Sequence, residues 1–148
     1  MIEVSAGTLT MDRPSPATRE RITIFMPTLN EVDGLKAVLP RISRDWYDEI
    51  IVVDGHSTDG TVEYLRSQAH RGVKVYLEEK KGVVNAYNLG FRFSSGDIFI
   101  TFTPDGNCIP ELIPALIEEA RQGYDIVFVS PVPAPCPQSR RQSGHCDR

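Results

Sequence analysis

The chain has 148 residues, enough for one domain of ordinary size and too few for two. Hydrophobic residues make up 41% and charged residues 24%, a balance typical of a folded globular chain. The formal net charge of -4 argues against a nucleic-acid-binding protein, because phosphate contacts need a basic surface. No apolar run reaches the roughly 18 residues that cross a bilayer. The odd count of 3 cysteines fits a reducing cytoplasm better than a disulfide scaffold.

Short apolar runs alternate with helical periodicity from Arg21 to Ser130. This alternation predicts βαβ units, and therefore an α/β fold with a mostly parallel sheet and helices on both faces. The predicted strands are Ile22–Met26 (ended by Pro27), Glu49–Val53, Val73–Leu77, Asp97–Thr103 and Tyr124–Val129. The predicted helices are one with Leu35, Val38, Leu39 and Ile42 on its apolar face, kinked or split at Pro40, and then Thr61–His70, Val83–Phe93 and Pro110–Arg121.

The two ends of the chain differ in composition from its middle. Residues 1–20 have no usable period and predict a flexible leader, and residues 131–148 begin with alternating prolines and predict a disordered tail. The single predicted domain therefore spans residues 21–130.

Polar groups follow four of the predicted strands, at the edge where parallel sheets bind ligands. These segments are Pro27-Thr28-Leu29-Asn30-Glu31, Asp54-Gly55-His56-Ser57-Thr58-Asp59-Gly60-Thr61, Lys80-Lys81-Gly82 and Pro104-Asp105-Gly106-Asn107.

The first two segments admit a structural and a functional interpretation. Asn30 or Glu31 could simply open a helix, and residues 57–59 could cap the helix that begins at Thr61. Asp54 directly follows an apolar strand, which places it to accept a ribose hydroxyl or a base edge.

The other segments are equally open when taken alone. Lys80 and Lys81 are either solvated surface or, with Gly82 before a helix, suited to the close approach of a phosphate. Residues 105–107 have the composition of a β-turn or of a metal site. His56 and His70 lack partners at ligand spacing, so solvated histidines are expected there rather than zinc ligands.

Taken together, PTLNE, DGHSTDGT, KKG and TPDGNCIPE resemble the nucleotide-binding half of family 2 glycosyltransferases of the GT-A fold. The resemblance runs from about Arg21 to Ser130 and is closest to the branch of dolichyl- and polyprenyl-phosphate sugar synthases. It implies a Rossmann-like GT-A half that binds a nucleotide-diphosphate sugar, GDP- or UDP-linked.

The resemblance also implies roles for individual residues. The family's Asp-x-Asp metal motif falls on Thr103-Pro104-Asp105, so Asp105 is kept and Thr103 replaces the first aspartate. Asn107 stands where related synthases carry an amide or an acid, and the implied cofactor is Mg²⁺ or Mn²⁺ at Asp105 and Asn107. No catalytic residue is assigned. The implied nucleotide-binding residues are Pro27, Thr28, Glu31, Asp54, Lys81, Pro104 and Asp105.

The implied function is metal-assisted transfer of a sugar, with inversion, to a polyprenyl-phosphate or saccharide acceptor in the cytoplasm or at the membrane surface. A catalytically inactive nucleotide-sugar-binding module is the alternative, and a doubly wound domain of other use would leave DGHSTDGT and PDGN unexplained. After about Pro131 the chain departs from the family pattern, which suggests a frameshifted or prematurely ended reading frame, or a fragment. We then expect the acceptor half and any general base to be missing, and an open sheet edge that favours self-association.

Overall fold

The computed structural model of the chain describes residues 19–129. The predicted tail and all of the predicted leader except Arg19 and Glu20 therefore lie outside the described residues.

Within this range four parallel strands form one sheet in the order β3-β2-β1-β4. Each pair of consecutive strands is separated by a helix, as a parallel sheet requires. The strands are β1 (Ile22–Thr28), β2 (Glu49–Asp54), β3 (Val73–Leu77) and β4 (Ile98–Thr101). The helices are α1 (Val32–Val38), α2 (Thr61–Ser67), α3 (Val83–Phe93) and α4 (Ile113–Arg121), with short 3-10 turns at Leu39–Arg41, Arg44–Trp46, Ala69–Arg71 and Pro110–Leu112.

The sheet is buried on both faces, which confirms the predicted α/β fold. One face packs against residues of α1, α2 and α4, such as Leu35, Leu65 and Ile117. The other face packs against α3 through Phe25 and Ala86. Strand β2 is buried along its whole length because it lies inside the sheet between these two layers.

One predicted helix break is confirmed, and the bounds of two helices differ from the prediction. The first helix does split at Pro40, where α1 gives way to a 3-10 turn. The predicted Thr61–His70 helix ends at Ser67 and continues as a separate turn. The predicted Pro110–Arg121 helix begins as a 3-10 turn, and α4 follows with Pro114 in its first turn.

Pro27 does not end β1, which continues to Thr28. The Phe25 carbonyl accepts a hydrogen bond of 2.8 Å from the Phe102 N–H, so this residue faces β4. Pro27 lies two residues further on and faces the same side, beyond the last paired residue of β4. Its missing N–H therefore removes no bond from the sheet, and β1 stays paired with β2 up to Thr28 and Asp54.

The predicted fifth strand, Tyr124–Val129, is wrong, because the segment has no strand structure. Tyr124, Ile126 and Phe128, which would share one face of a strand, are 62%, 70% and 84% exposed, and on the other face Val127 is only half-buried and Val129 is exposed. An extended segment with neither a hydrogen-bonded neighbour nor a buried face lacks what offsets its ordering entropy. In the described part of the chain β3 and β4 are the edges of the sheet, and self-association through such an edge stays a prediction.

A buried carboxylate, Glu49, ties the amino ends of the strands together. Its Oε1 accepts hydrogen bonds from the Thr23 hydroxyl (2.8 Å) and the Ser95 N–H (2.7 Å), and its Oε2 pairs with Lys74 at 2.6 Å. Burial alone raises the pKa of Glu49, but the hydrogen bonds from Lys74, Ser95 and Thr23 outweigh it and lower the pKa from 4.5 to about 2.

This depressed pKa predicts an acid-sensitive fold. Because the folded pKa lies below the unfolded one, Glu49 contributes stability above about pH 4.5 and loses it between there and about pH 2. We expect the contribution to be on the order of 3 kcal/mol. Glu49→Gln should lower the free energy of unfolding at pH 7 and flatten its dependence on pH in this window, as measured by urea unfolding.

Glu63→Gln on the exposed side of α2 is the matched control, and it should leave both the stability and its pH dependence unchanged. An equally steep acid loss in the Glu49→Gln variant and in the wild type would contradict the assignment.

Candidate functional site

Four loops at the carboxyl ends of the strands carry the candidate site. We call them the first loop (residues 29–31, after β1), the second loop (55–60, after β2), the third loop (78–82, after β3) and the fourth loop (102–109, after β4). Parallel strands bring these loops to one edge of the sheet, where ligands bind in open α/β folds.

Asp54, the last residue of β2, is fully buried and organises the first two loops. Its Oδ1 accepts a 2.8 Å hydrogen bond from the Ser57 N–H, and its Oδ2 accepts from the Ser57 hydroxyl at 2.6 Å and the Thr28 hydroxyl at 3.2 Å. Both carboxylate oxygens are thus bonded inside the protein. A direct contact of Asp54 with a nucleotide remains a prediction.

Asp59 joins the starts of two helices. Its Oδ2 accepts from the N–H of Val32, the first residue of α1, at 3.1 Å, and its Oδ1 accepts from the N–H of Thr61, the first residue of α2, at 3.0 Å. The Thr61 hydroxyl also donates to Oδ1 at 2.6 Å. This hydroxyl, followed by the backbone bonds, holds the pKa of Asp59 below its ordinary value, so the carboxylate is ionised at neutral pH.

The first and second loops are locked together through Asn30. Its N–H donates to the Ser57 hydroxyl at 2.7 Å, and its side-chain oxygen accepts from the Thr58 N–H at 2.9 Å. Asn30 has a φ of 55°, which asparagine tolerates better than most residues. Neither Asn30 nor Glu31 caps α1 with its side chain, so the proposed helix-opening role belongs to Asp59 instead.

The third loop is tied down by Glu78, a buried residue. Its N–H donates to the Asp54 carbonyl at 3.0 Å, and its Oε2 accepts from the Gly82 N–H at 3.1 Å. The sequence indicated that Gly82 could allow a phosphate to approach closely, but in the structure the Gly82 N–H is bonded to the Glu78 carboxylate. Lys81 is exposed on the same loop.

The fourth loop presents the exposed carboxylate of Asp105. The N–H of Asn107 donates to Oδ1 at 3.1 Å and its amide nitrogen donates to Oδ2 at 2.9 Å. These two bonds lower the pKa of Asp105 and keep it ionised at neutral pH. Thr103, at the position of the absent aspartate, contacts the Cys108 sulfur at 3.3 Å.

A close backbone approach brings the first and fourth loops together. A Cβ on Gly34 would collide with the Pro104 carbonyl oxygen, so only glycine lets α1 pack against the fourth loop here. As a result Glu31 and Asp105 line one small cleft of about 260 Å³. Arg41 lines the same cleft and holds Glu111, beyond the fourth loop, through two hydrogen bonds of 2.9 and 2.7 Å.

The donor set at Asp105 fits a hard divalent cation that a ligand helps to hold. Carboxylate and amide oxygens suit Mg²⁺ and Mn²⁺, and Mg²⁺ is commonly bound by one or two carboxylates plus substrate phosphates. Between residues 19 and 129 no cluster of three or more histidine, cysteine or acidic side chains could hold a metal by itself. Any metal at Asp105 would therefore need further oxygens, from a ligand or from water.

The structure brings some predicted residues together and separates others. Pro27, Thr28 and Asp54 lie on neighbouring strand ends, and Glu31 in the first loop lines the cleft with Pro104 and Asp105. Lys81 follows β3, at the opposite side of the sheet from β4. Sequence reasoning missed Glu78 and Gly34, and only the position of Glu78 directly after a strand could have indicated it.

Comparisons with known proteins place the chain in a family. A sequence model described as glycosyl transferase family 2 matches residues 23–145. The fold is that of a GT-A-like α/β protein, and the chain belongs to glycosyl transferase family 2.

Two curated relatives act on polyprenyl phosphates, as their names state. The chain is 37% identical over 119 residues to the undecaprenyl-phosphate 4-deoxy-4-formamido-L-arabinose transferase of Edwardsiella ictaluri, covering 74% of this chain and 37% of that protein. It is 36% identical over 115 residues to the dolichol-phosphate mannosyltransferase of Pyrococcus furiosus, covering 74% and 33%. The chain thus spans about a third of the length of these relatives.

A solved structure with a similar fold is the glucosyl-3-phosphoglycerate synthase of Mycobacterium tuberculosis in complex with Mn²⁺, UDP and glucosyl-3-phosphoglycerate. The TM-score is 0.58 at 27% identity, over 68% of this chain and 39% of that one. Among the residues described here, no helix is long and apolar enough to cross a membrane.

The contact at Gly34 predicts the effect of one added methyl group. Alanine favours a helix over glycine by about 1 kcal/mol, but the clash with Pro104 must push the fourth loop away. We expect Gly34→Ala to lower the free energy of unfolding by about 1 to 3 kcal/mol and to weaken any ligand binding that needs both Glu31 and Asp105. Thermal unfolding and nucleotide titration measure the two effects.

Lys36→Ala, on the exposed side of the same helix, controls for changes in helix propensity. A Gly34→Ala variant that is more stable than the wild type would show that the contact with Pro104 does not constrain the loop.

Proposed function

We propose that the chain forms the nucleotide-sugar-binding part of a metal-assisted glycosyltransferase that transfers a sugar, with inversion, to a polyprenyl phosphate. The observation that carries this proposal is the cleft that Glu31 and Asp105 share at the carboxyl ends of β1 and β4. Family membership and the names of the two relatives supply the reaction class and the lipid-phosphate acceptor. The Mn²⁺ and UDP bound to the similar fold support the metal and a nucleotide donor.

The strand order sets the direction of the nucleotide in this proposal. Asp105 follows β4 and Lys81 follows β3, three strand spacings away, which is about 14 Å at roughly 4.8 Å per spacing. A diphosphate held at Asp105 directs its nucleoside over the ends of β1 and β2, past Thr28 and Glu31. Lys81 then lies at the base end rather than at the diphosphate.

The described residues would act by binding and orientation. Asp105 and Asn107 would hold Mg²⁺ or Mn²⁺, which when bound stabilises negative charge on the departing nucleoside diphosphate. Thr28, Glu31 and Pro27 would fix the nucleoside, with Asp54 supporting them from below. A lipid phosphate is already a nucleophile, so this acceptor needs no general base to remove a proton.

A nucleotide-sugar-binding module without transfer activity is the second candidate. The observation that favours it is Thr103, which leaves one carboxylate at the metal position and so weakens metal binding. Formation of a sugar–lipid product from a nucleotide sugar and a polyprenyl phosphate by the 148-residue chain would exclude this candidate.

Nucleotide binding is the first test. We expect thermal unfolding with GDP, UDP, CDP and dTDP, each with and without Mn²⁺, to show a metal-dependent rise in Tm with one nucleotide. At 100 times Kd a ligand stabilises the folded state by about 2.7 kcal/mol, which moves the Tm by several degrees. No shift with any nucleotide from a cooperatively folded chain would contradict the proposal.

Asp105→Asn tests the metal site. Because Asp105 is exposed on a loop, we expect the variant to keep nearly the wild-type Tm without ligand and to lose the Mn²⁺-dependent shift. Asp45→Asn, an exposed aspartate in the turn at Arg44–Trp46, should leave the shift intact. A loss of several kcal/mol in stability for Asp105→Asn would instead indicate a structural role.

A further inference from the structure

His56 connects two loops of the candidate site through one hydrogen bond. Its Nε2 lies 2.7 Å from the carbonyl oxygen of Glu78. Because a carbonyl oxygen only accepts, Nε2 must carry the proton and donate. The side chain therefore reaches from the second loop to the start of the third loop.

The backbone of His56 is held in a conformation that histidine seldom adopts. Its φ is 66°, in the left-handed region that costs free energy for a side chain with a Cβ. Within residues 19–129 the one other non-glycine residue with positive φ is Asn30, in the adjoining first loop. In this left-handed backbone conformation the ring of His56 reaches the carbonyl oxygen of Glu78.

Glu78 links His56 to the rest of the third loop. Besides accepting from His56, it donates its N–H to the Asp54 carbonyl and accepts the Gly82 N–H with its carboxylate. At the other end of the loop, the Asn85 amide donates to the Lys80 carbonyl at 3.0 Å. The backbone around Lys81 is therefore fixed at both ends, while the Lys81 side chain is exposed.

We propose that His56 is a positioning residue that fixes the third loop, and with it Lys81, at the base end of the nucleotide site and so sets which base the chain prefers. This inference rests on the proposed function, in which the diphosphate lies at Asp105 and the base lies toward β3. His56 touches no reacting atom in this arrangement, and it acts through the Glu78 carbonyl and the loop that follows.

The test compares nucleotide selectivity in His56 variants of the 148-residue chain. His56→Gly keeps the left-handed backbone without strain and removes the hydrogen bond. We expect the affinity for the best of GDP, UDP, CDP and dTDP, measured with Mn²⁺, to fall about five- to ten-fold, the effect of one lost hydrogen bond. The three weaker nucleotides should change by less than about two-fold, so that selectivity falls with affinity.

Two further variants separate positioning from general loss of structure. His56→Gln places an amide N–H at a reach similar to that of Nε2, so it should restore selectivity even though its Tm falls from strain at positive φ. In a Lys81→Ala background, His56→Gly should have less than about a two-fold effect, because both changes remove the same contact. His70→Ala is the matched control: His70 also bonds a carbonyl, that of Ser67, but lies far from the strand-end loops.

The possible outcomes distinguish the role of His56 from the proposed function. An equal loss of affinity for all four nucleotides, no loss at all, or an undiminished effect in the Lys81→Ala background would overturn the role of His56 while leaving the proposed function intact. A wild-type chain that binds none of the four nucleotides would overturn the proposed function and this inference with it.

Discussion

The backbone N–H groups of the strand-end loops need hydrogen-bond acceptors, and this requirement determines how the loops are arranged at the carboxyl ends of the strands. Two carboxylates provide many of these acceptors. Asp54, buried beneath the loops, accepts from Ser57 and Thr28, and Asp59 accepts from the first residues of α1 and α2. The first two loops and the starts of two helices are thereby fixed in one arrangement.

The same requirement divides the acidic residues into two groups. Asp54 and Asp59 are bonded inside the protein and serve the loops, whereas Glu31 and Asp105 line the cleft. The role of the DGHSTDGT segment is therefore partly structural, because its two aspartates hold the loops in place. The sequence predicted that Asp59 would cap the helix beginning at Thr61 and that Asp54 would contact a nucleotide, and the hydrogen bonds from Thr61 to Asp59 agree with the first of these.

Much of the fold was predictable because it depends on local pattern. Apolar runs and helical periodicity placed four strands and four helices nearly at their observed positions. The fifth strand failed because Tyr124–Val129 has the right alternation but pairs with no strand among residues 19–129, and pairing is not visible in a local pattern. The contacts of Glu78 and Gly34 could not be predicted either, because each contact joins two residues that are distant in the sequence.

The single aspartate of the fourth loop has a thermodynamic consequence for the proposed site. With Thr103 in place of a second carboxylate, a divalent cation at the proposed site would gain few ligands from residues 19–129 and would take the rest from the diphosphate and from water. A metal and a nucleotide that share ligands in this way raise each other's affinity by the same factor, because linkage is reciprocal. Under the proposed function, the cleft between Glu31 and Asp105 would bind a metal–nucleotide complex more tightly than either component alone.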